Sequence, residues 1–175
     1  MKEPTYHALK KPSSHRYSWL KCSGAYVQML NNPGYYNGLK NSNMNYPNPS
    51  ALQIELDLRR TYPKETKERT DELIVPLRNV LCAYVLRNPS GVYCQGMNSI
   101  AARLLQCMNE EEAFWTFAQL IEYVFIPLDY YSSLFGVLLD QKVINHLIEK
   151  HLPKLAQHLT KMEWSVGVHV VKWLV

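Results

Sequence analysis

Two short stretches of the sequence hold residues whose types and spacing could do chemistry. In the first, Ile54, Asp57 and Arg60 follow one another at intervals of three, so they would lie along one side of a helix. At that spacing the Asp57 carboxylate can reach the Arg60 guanidinium, and the carbonyl groups at a helix end also favour a cation. A guanidinium held in this way suits phosphate recognition. A solvated Asp–Arg pair of little energetic value explains the same spacing.

The second stretch is a loop, residues 88–98, with the sequence NPSGVYCQGMN. Gly91 and Gly96 permit backbone turns that would present Gln95 at a fixed tip. The alternative is a plain connection between two helices, in which Tyr93 and Cys94 face the core. The loop alone does not decide between these two interpretations.

Segments with helical periodicity surround both stretches. Ser50 and Gln53 have the spacing of a capping box and predict a helix start. That helix should end near Arg60, because Pro63 disfavours the helical conformation at Tyr62. A second helix should carry an apolar face from Leu77 to Val85 and stop at residues 88–89, and a third should follow Ser99.

Further helices are predicted after the loop. The sequence from Asn109 to Glu112 has the form of another capping box, opening a helix through Phe114 that ends at Pro127. Residues 143–152 and 155–159 continue the apolar period, and no stretch alternates convincingly with period two. The predicted fold class is therefore all-α, with Met97, Phe114, Trp115 and Phe117 in the core.

Composition bounds the class of protein. The 175 residues, 47% hydrophobic and 19% charged, fit one domain or a large part of one and exclude disorder throughout. Residues 1–49 are expected to be a basic, irregular segment with a short helix around residues 19–30, and residues 50–175 a helical body. Since that body is almost neutral, the composition argues against a nucleic-acid-binding protein.

Cysteine usage and hydropathy point to a cytoplasmic protein. The four cysteines, at positions 22, 82, 94 and 107, include no CxxC pair, which favours reduced thiols. No window of about 18 uncharged apolar residues is present, so no integral membrane segment is expected.

The two stretches together resemble a known family. The sequence from Ile54 to Pro63 is similar to the IxxDxxR-T-F/Y-P motif of TBC domains, the GTPase-activating domains that act on Rab small GTPases. The sequence from Tyr93 to Asn98 is similar to the YxQGMN loop of that family. Downstream, residues 110–115 resemble its EEEAFW stretch, and residues 130–159 its YY…G…DQ…LP…HL run. The resemblance covers about residues 50–175.

The resemblance implies a mechanism with two residues supplied in trans to the GTPase. Arg60 would be the arginine finger that stabilises charge on the γ-phosphoryl group, and Gln95 would orient the attacking water. Asp57 would hold Arg60 and Tyr93 would shape the loop, with Ile54 and Gly96 in supporting positions. The implied function is activation of GTP hydrolysis by a Rab, in vesicle trafficking.

The same resemblance implies the partner and the cofactors. The partner would be a Rab-type GTPase that carries the GTP and Mg²⁺ itself, because the chain has no Walker A loop or GxGxxG motif of its own. No cofactor and no metal site are expected in this chain. The Rab could recruit it transiently to endomembranes from the cytoplasm.

Three departures from the family pattern qualify the resemblance. Val92 stands where the family usually has Gly immediately before the loop tyrosine. Arg16 precedes Trp19 by three residues, which does not match the spacing of the family's opening R-x-x-x-W. The chain ends at residues 172–175, where the family has a W-F-L segment and several further helices.

The third departure leads to two expectations. A TBC-like domain without its C-terminal helices should leave an apolar face uncovered, which would make the isolated chain marginally stable or prone to aggregation. The alternative function is a catalytically silent module that binds a small GTPase or acts as an adaptor.

Overall fold

The computed structural model describes residues 14–42, 49–62, 66–88, 93–124, 135–164 and 166–167. The regular elements within these ranges are all helical, which confirms the all-α class. They are α1 (Ser14–Cys22), α2 (Ala25–Asn31), α3 (Tyr35–Asn41), α4 (Pro49–Arg60), α5 (Lys67–Arg87), α6 (Met97–Leu105), α7 (Glu110–Gln119), a π-helix (Leu120–Val124), α8 (Phe135–His151) and α9 (Pro153–Lys161).

The core is organised around α7. Every residue from Glu112 to Leu120 is buried, as expected for a helix surrounded by others. Helices α1, α2, α3, α5 and α6 all contact it, and α4 packs on α5 and α6. The predicted core residues Phe114, Trp115, Phe117 and Met97 are at most 2% exposed.

Most helix boundaries follow the local signals. Helix α4 ends at Arg60 and α5 ends at Arg87, both as predicted. The capping box before α7 is confirmed, because the Glu112 N–H donates to Asn109 Oδ1 at 2.9 Å and the Asn109 N–H donates to Glu112 Oε2 at 3.1 Å. Helix α6 begins at Met97, three residues earlier than predicted.

The capping box predicted at Ser50 and Gln53 is wrong. Helix α4 already includes Pro49, and proline is well suited to a first helical turn because it lacks an N–H. Ser50 is therefore inside the helix, where its hydroxyl accepts a hydrogen bond from the Tyr93 N–H at 3.3 Å. The Gln53 side chain donates to Asp57 Oδ1 at 3.1 Å.

The expectation of an irregular N-terminal segment is wrong for residues 14–42. They form three short helices, and the break between α1 and α2 falls inside the single helix predicted at residues 19–30. Gly24 and Gly34, with φ of 79° and 76°, adopt the left-handed conformation at the starts of α2 and α3. Helices of seven to nine residues are not stable alone, so tertiary contacts must hold them.

Acidic residues at the start of α7 supply some of those contacts. Arg16 of α1 forms an ion pair with Glu112, donating from Nε at 2.9 Å. Tyr36 and Lys40 of α3 both donate to Glu110 Oε1, at 2.7 and 2.5 Å. Two of the basic residues near the N-terminus thus pair with α7, whereas Lys2, Lys10 and Lys11 lie outside the described residues.

Helices α8 and α9 confirm the helices predicted there, but bury little. Val137 is the buried member of α8, and α9 has no buried residue within its described length. Large apolar side chains of α8 are about half exposed or more: Phe135, Leu138, Leu139, Val143 and Leu147. An uncovered apolar face is therefore present on α8, as expected. None of the helices in the described ranges is both long enough and apolar enough to cross a bilayer.

Candidate functional site

A fully buried carboxylate lies at the centre of the candidate site. Asp57, near the C-terminal end of α4, is 0% exposed. Its Oδ1 forms an ion pair with Arg60 and accepts from Gln53 Nε2 at 3.1 Å, while its Oδ2 accepts from Tyr93 Oη at 2.9 Å. Three donors thus compensate for the lost hydration of one buried charge.

Arg60 is held at one end and open to solvent at the other. It is the last residue of α4, and its ion pair with Asp57 confirms the contact predicted from the spacing. About half of its side chain, 51%, remains exposed. The neighbouring Arg59 is exposed too, but it forms no ion pair with any carboxylate in the described part of the chain. Among the described residues, an ion pair therefore orients the guanidinium of Arg60 but not that of Arg59.

Tyr93 connects the loop to α4. Tyr93 is 4% exposed. The interpretation in which this residue faces the core is therefore confirmed for Tyr93. Burial and the hydrogen bond to Asp57 raise the pKa of Tyr93 well above its ordinary value, whereas a hydrogen bond from the Asn98 backbone and the charge of Arg60 lower it. The phenol remains neutral at physiological pH and acts as a donor to the carboxylate.

Gln95 lies at the exposed tip of the loop. The Met97 N–H donates to the Cys94 carbonyl at 3.1 Å, which closes a tight turn around Gln95 and Gly96. Gly96 has φ of 109°, a conformation that side chains disfavour, so a glycine is required there. Gly91 and Val92, where the sequence departs from the family, lie outside the described residues.

A second connection joins the loop to α4, and sequence reasoning missed it. Asn98 is 6% exposed and donates from Nδ2 to Thr61 Oγ1 at 2.8 Å. Its Oδ1 accepts from the Gly96 N–H at 3.0 Å, and the Thr61 hydroxyl donates to the Asp57 carbonyl at 2.7 Å. Both residues stand inside the two motifs, but no spacing rule relates positions 61 and 98.

Sequence reasoning also missed Gln53 as a hydrogen-bond partner of Asp57, although the spacing of the two residues is a signal for it. Gln53 precedes Asp57 by four residues, the spacing at which side chains on a helix meet. Ile54 was singled out as a supporting residue; it is fully buried and anchors α4 to the core rather than facing the site.

The two exposed side chains, Arg60 and Gln95, each lie between residues that are hydrogen-bonded across to the other segment. Asp57 and Thr61, on either side of Arg60, bond to Tyr93 and Asn98, on either side of Gln95. A cation and a carboxamide therefore emerge from adjacent, interlocked segments. Such a pair can neutralise a phosphate and orient a water molecule.

Comparison with known sequences agrees with this geometry. The Rab-GTPase-TBC domain family matches residues 13–175, a range that contains both motifs and the helices before them. The chain belongs to the Rab-GTPase-TBC domain family. In this TBC domain, the family match includes α1–α3 as well as the predicted helical body.

Individual relatives support the assignment. The TBC domain is 37% identical over 169 residues to TBC1 domain family member 2B of Xenopus tropicalis, covering 93% of this chain and 18% of the relative. It is 38% identical over 151 residues to TBC1 domain family member 2A of Homo sapiens, covering 84% of this chain and 16% of the relative. The chain thus spans less than a fifth of the length of these relatives.

A solved structure has the same fold. The crystal structure of the Chlamydomonas flagellar RabGAP TBC domain superimposes with a TM-score of 0.71 at 25% identity. The match covers 97% of this chain and 56% of the solved one.

Proposed function

We propose that this TBC domain accelerates GTP hydrolysis by a Rab-family small GTPase, inserting Arg60 and Gln95 into the nucleotide site of its partner. The observation that carries the proposal is the double connection between the segments bearing these two exposed side chains, through Asp57–Tyr93 and Thr61–Asn98. Family membership supports it.

Arg60 would act as the arginine finger. During phosphoryl transfer, negative charge spreads over the γ-phosphoryl and leaving oxygens, and a supplied guanidinium is worth about 10³–10⁵ in rate. The ion pair with Asp57 orients the guanidinium before binding, while its exposed part can reach a partner. Preorientation reduces the ordering that the transition state would otherwise require.

Gln95 would orient the attacking water. A carboxamide can accept a hydrogen bond from water through its oxygen and donate through its nitrogen to another acceptor. Its position at the loop tip, with Gly96 making the turn, leaves it accessible to the partner. Asp57 and Tyr93 would position the two fingers, and Ile54 would anchor α4, the helix that carries Arg60.

The GTP and Mg²⁺ would belong to the Rab and not to this chain. The cytoplasmic leaflet of endomembranes, where a lipid-anchored Rab would be engaged, is the proposed site of action, reached by transient recruitment through the Rab. Vesicle trafficking is the process such an activity would serve.

The test is single-turnover GTP hydrolysis by a panel of Rab proteins with the 175-residue chain, its Arg60→Ala variant and its Arg59→Ala variant. Arg59→Ala is a matched control, because it removes an adjacent, equally charged and exposed residue that has no carboxylate partner among the described residues. Arg60→Ala should lose about 10³-fold or more of the acceleration, and Arg59→Ala should keep most of it. Equal activity of the two variants would refute the finger assignment.

Gln95→Ala is tested in the same assay, together with binding of each variant to the Rab loaded with a GTP analogue. We expect the rate to fall about 10²-fold or more while the affinity changes little, because the water is ordered only during hydrolysis. A folded wild-type chain that binds a Rab without accelerating any member of the panel would instead indicate the silent module.

A further inference from the structure

Asn98 contacts both finger segments although it belongs to neither finger. It is the second residue of α6 and is almost completely buried. Its side chain spans the gap between the Gly96 N–H, directly after Gln95, and the Thr61 hydroxyl, directly after Arg60. Because these two partners directly follow Gln95 and Arg60 in the chain, the Asn98 amide connects the two finger segments in addition to the Asp57–Tyr93 bond.

The orientation of the amide follows from its neighbours. The Gly96 N–H can only donate, so the atom that faces it at 3.0 Å must be the Asn98 oxygen. The Asn98 nitrogen then faces Thr61 Oγ1 at 2.8 Å. The Thr61 hydrogen is already used in the bond to the Asp57 carbonyl, so its oxygen is free to accept. The donor and the acceptor of each of these three hydrogen bonds are therefore determined.

We propose that Asn98, together with Thr61, is a positioning residue that sets the direction of Gln95 relative to Arg60 in the transition state. The proposal rests on the proposed GTPase-activating function. Asn98 fixes the peptide between Gln95 and Gly96, and Thr61 fixes Asn98 to the end of α4.

The consequence is a defect in kcat rather than in KM. A shift of about 1 Å in a catalytic group can cost about 10²-fold in rate, whereas the remaining contact surface still binds the partner. Because Asn98 acts through Gln95, substitution of Asn98 should cause no further loss of rate once Gln95 has been removed.

The first experiment compares Asn98→Ala, Thr61→Val and Thr61→Ser in multiple-turnover assays with the responsive Rab in excess. Asn98→Ala and Thr61→Val should lower kcat about 10- to 100-fold with KM within about threefold of the wild type. Thr61→Ser retains the hydroxyl and should restore most of the activity that Thr61→Val loses. Ser99→Ala, which alters the exposed neighbour of Asn98 on α6, should match the wild type.

The second experiment repeats Thr61→Val in the Gln95→Ala background. A positioning role predicts a further loss below about threefold, whereas a general structural role predicts the same fold-loss in both backgrounds. Equal losses, a change confined to KM, or failure of Thr61→Ser to restore activity would each overturn the proposal.

Amide hydrogen exchange at Gly96 separates this inference from the proposed function. Exchange should be at least about tenfold faster in Thr61→Val than in the wild type or in Thr61→Ser, even if no Rab responds. Inactivity of the wild type with this exchange pattern would refute the proposed function and leave the connection intact. Unchanged exchange in Thr61→Val would overturn the inference whatever the activity, and Thr61→Val remains the test if Asn98→Ala fails to fold.

Discussion

The Asp57 carboxylate is completely buried, and its three hydrogen-bond donors explain how the fold tolerates it there. An isolated buried carboxylate would be strongly unfavourable, so Arg60, Gln53 and Tyr93 must together replace its hydration. Removal of any one partner leaves the charge incompletely compensated, which is more costly than the net value of the bond lost. The same contacts that orient the proposed finger therefore also stabilise the fold.

Tyr93→Phe tests this compensation. The substitution keeps the ring in the core and removes only the hydroxyl that donates to Asp57, so we expect the free energy of unfolding to fall by about 1–3 kcal/mol. Urea denaturation measures it. Tyr26→Phe, at an exposed position, is the matched control and should change stability by less than about 0.5 kcal/mol. Equal effects of the two substitutions would contradict the role of the Tyr93 hydroxyl.

Cys82 makes stability depend on pH in the alkaline range. Burial, with a smaller contribution from Glu55, raises the pKa of Cys82 from its ordinary value of 9.0 to about 11. Because the folded state holds the proton more tightly than the unfolded state, this contribution is complete below pH 9 and is lost as the pH rises towards 11.

We therefore expect the free energy of unfolding to decline between pH 9 and 11, and to decline less steeply in Cys82→Ala. Urea denaturation under reducing conditions across this pH range makes the measurement. Cys22→Ala, which alters an exposed thiol, should follow the wild-type slope. Parallel curves for Cys82→Ala and the wild type would show that another group controls the decline.

At the scale of the elements, α7 connects the N-terminal helices to the rest of the core. Its first turn contains three glutamates, and two of them reach other elements: Glu110 accepts from Tyr36, Lys40 and Asn79, and Glu112 pairs with Arg16. Acidic residues also suit a helix N-terminus. One short segment thus caps its own helix and holds α1 and α3.

Glu112→Ala removes the reciprocal half of the capping box and leaves Arg16 without its carboxylate. Adding a cap's typical worth to that of a charged hydrogen bond, we expect a loss of about 2–4 kcal/mol in the free energy of unfolding. Glu111→Ala is the matched control in the same turn and should cost less than about 1 kcal/mol. Thermal and urea unfolding measure both, and similar losses would argue against the proposed connection between α1 and α7.

At the scale of the whole molecule, helices α1–α7 are well packed, whereas α8 and α9 are poorly covered. The buried core is formed by residues of α1–α7, whereas Phe135, Leu139, Val143 and Leu147 form a row along α8, each exposed by 46% or more. Their spacing of four residues places them on one side of the helix. Apolar patches of this kind favour association in water.

We expect the isolated 175-residue chain to self-associate as its concentration rises. Light scattering coupled to size-exclusion chromatography measures this. Leu139→Gln with Val143→Gln should reduce association, because it breaks the apolar row at its centre. Lys142→Gln with Glu149→Gln, which alters two exposed polar residues of the same helix, should associate as the wild type does. A monomer with a cooperative melt at all concentrations would contradict the prediction.

The sequence by itself determined the helical class, most helix ends, the Asp57–Arg60 contact and the positions of both motifs. These follow from local rules, because capping residues, prolines and the helical period act over a few residues. The connections Tyr93–Asp57 and Asn98–Thr61 join positions 36 and 37 residues apart, and only the tertiary structure decided them. The helices of residues 14–42 likewise depend on distant partners such as Glu110 and Glu112, since segments so short have little helical stability of their own.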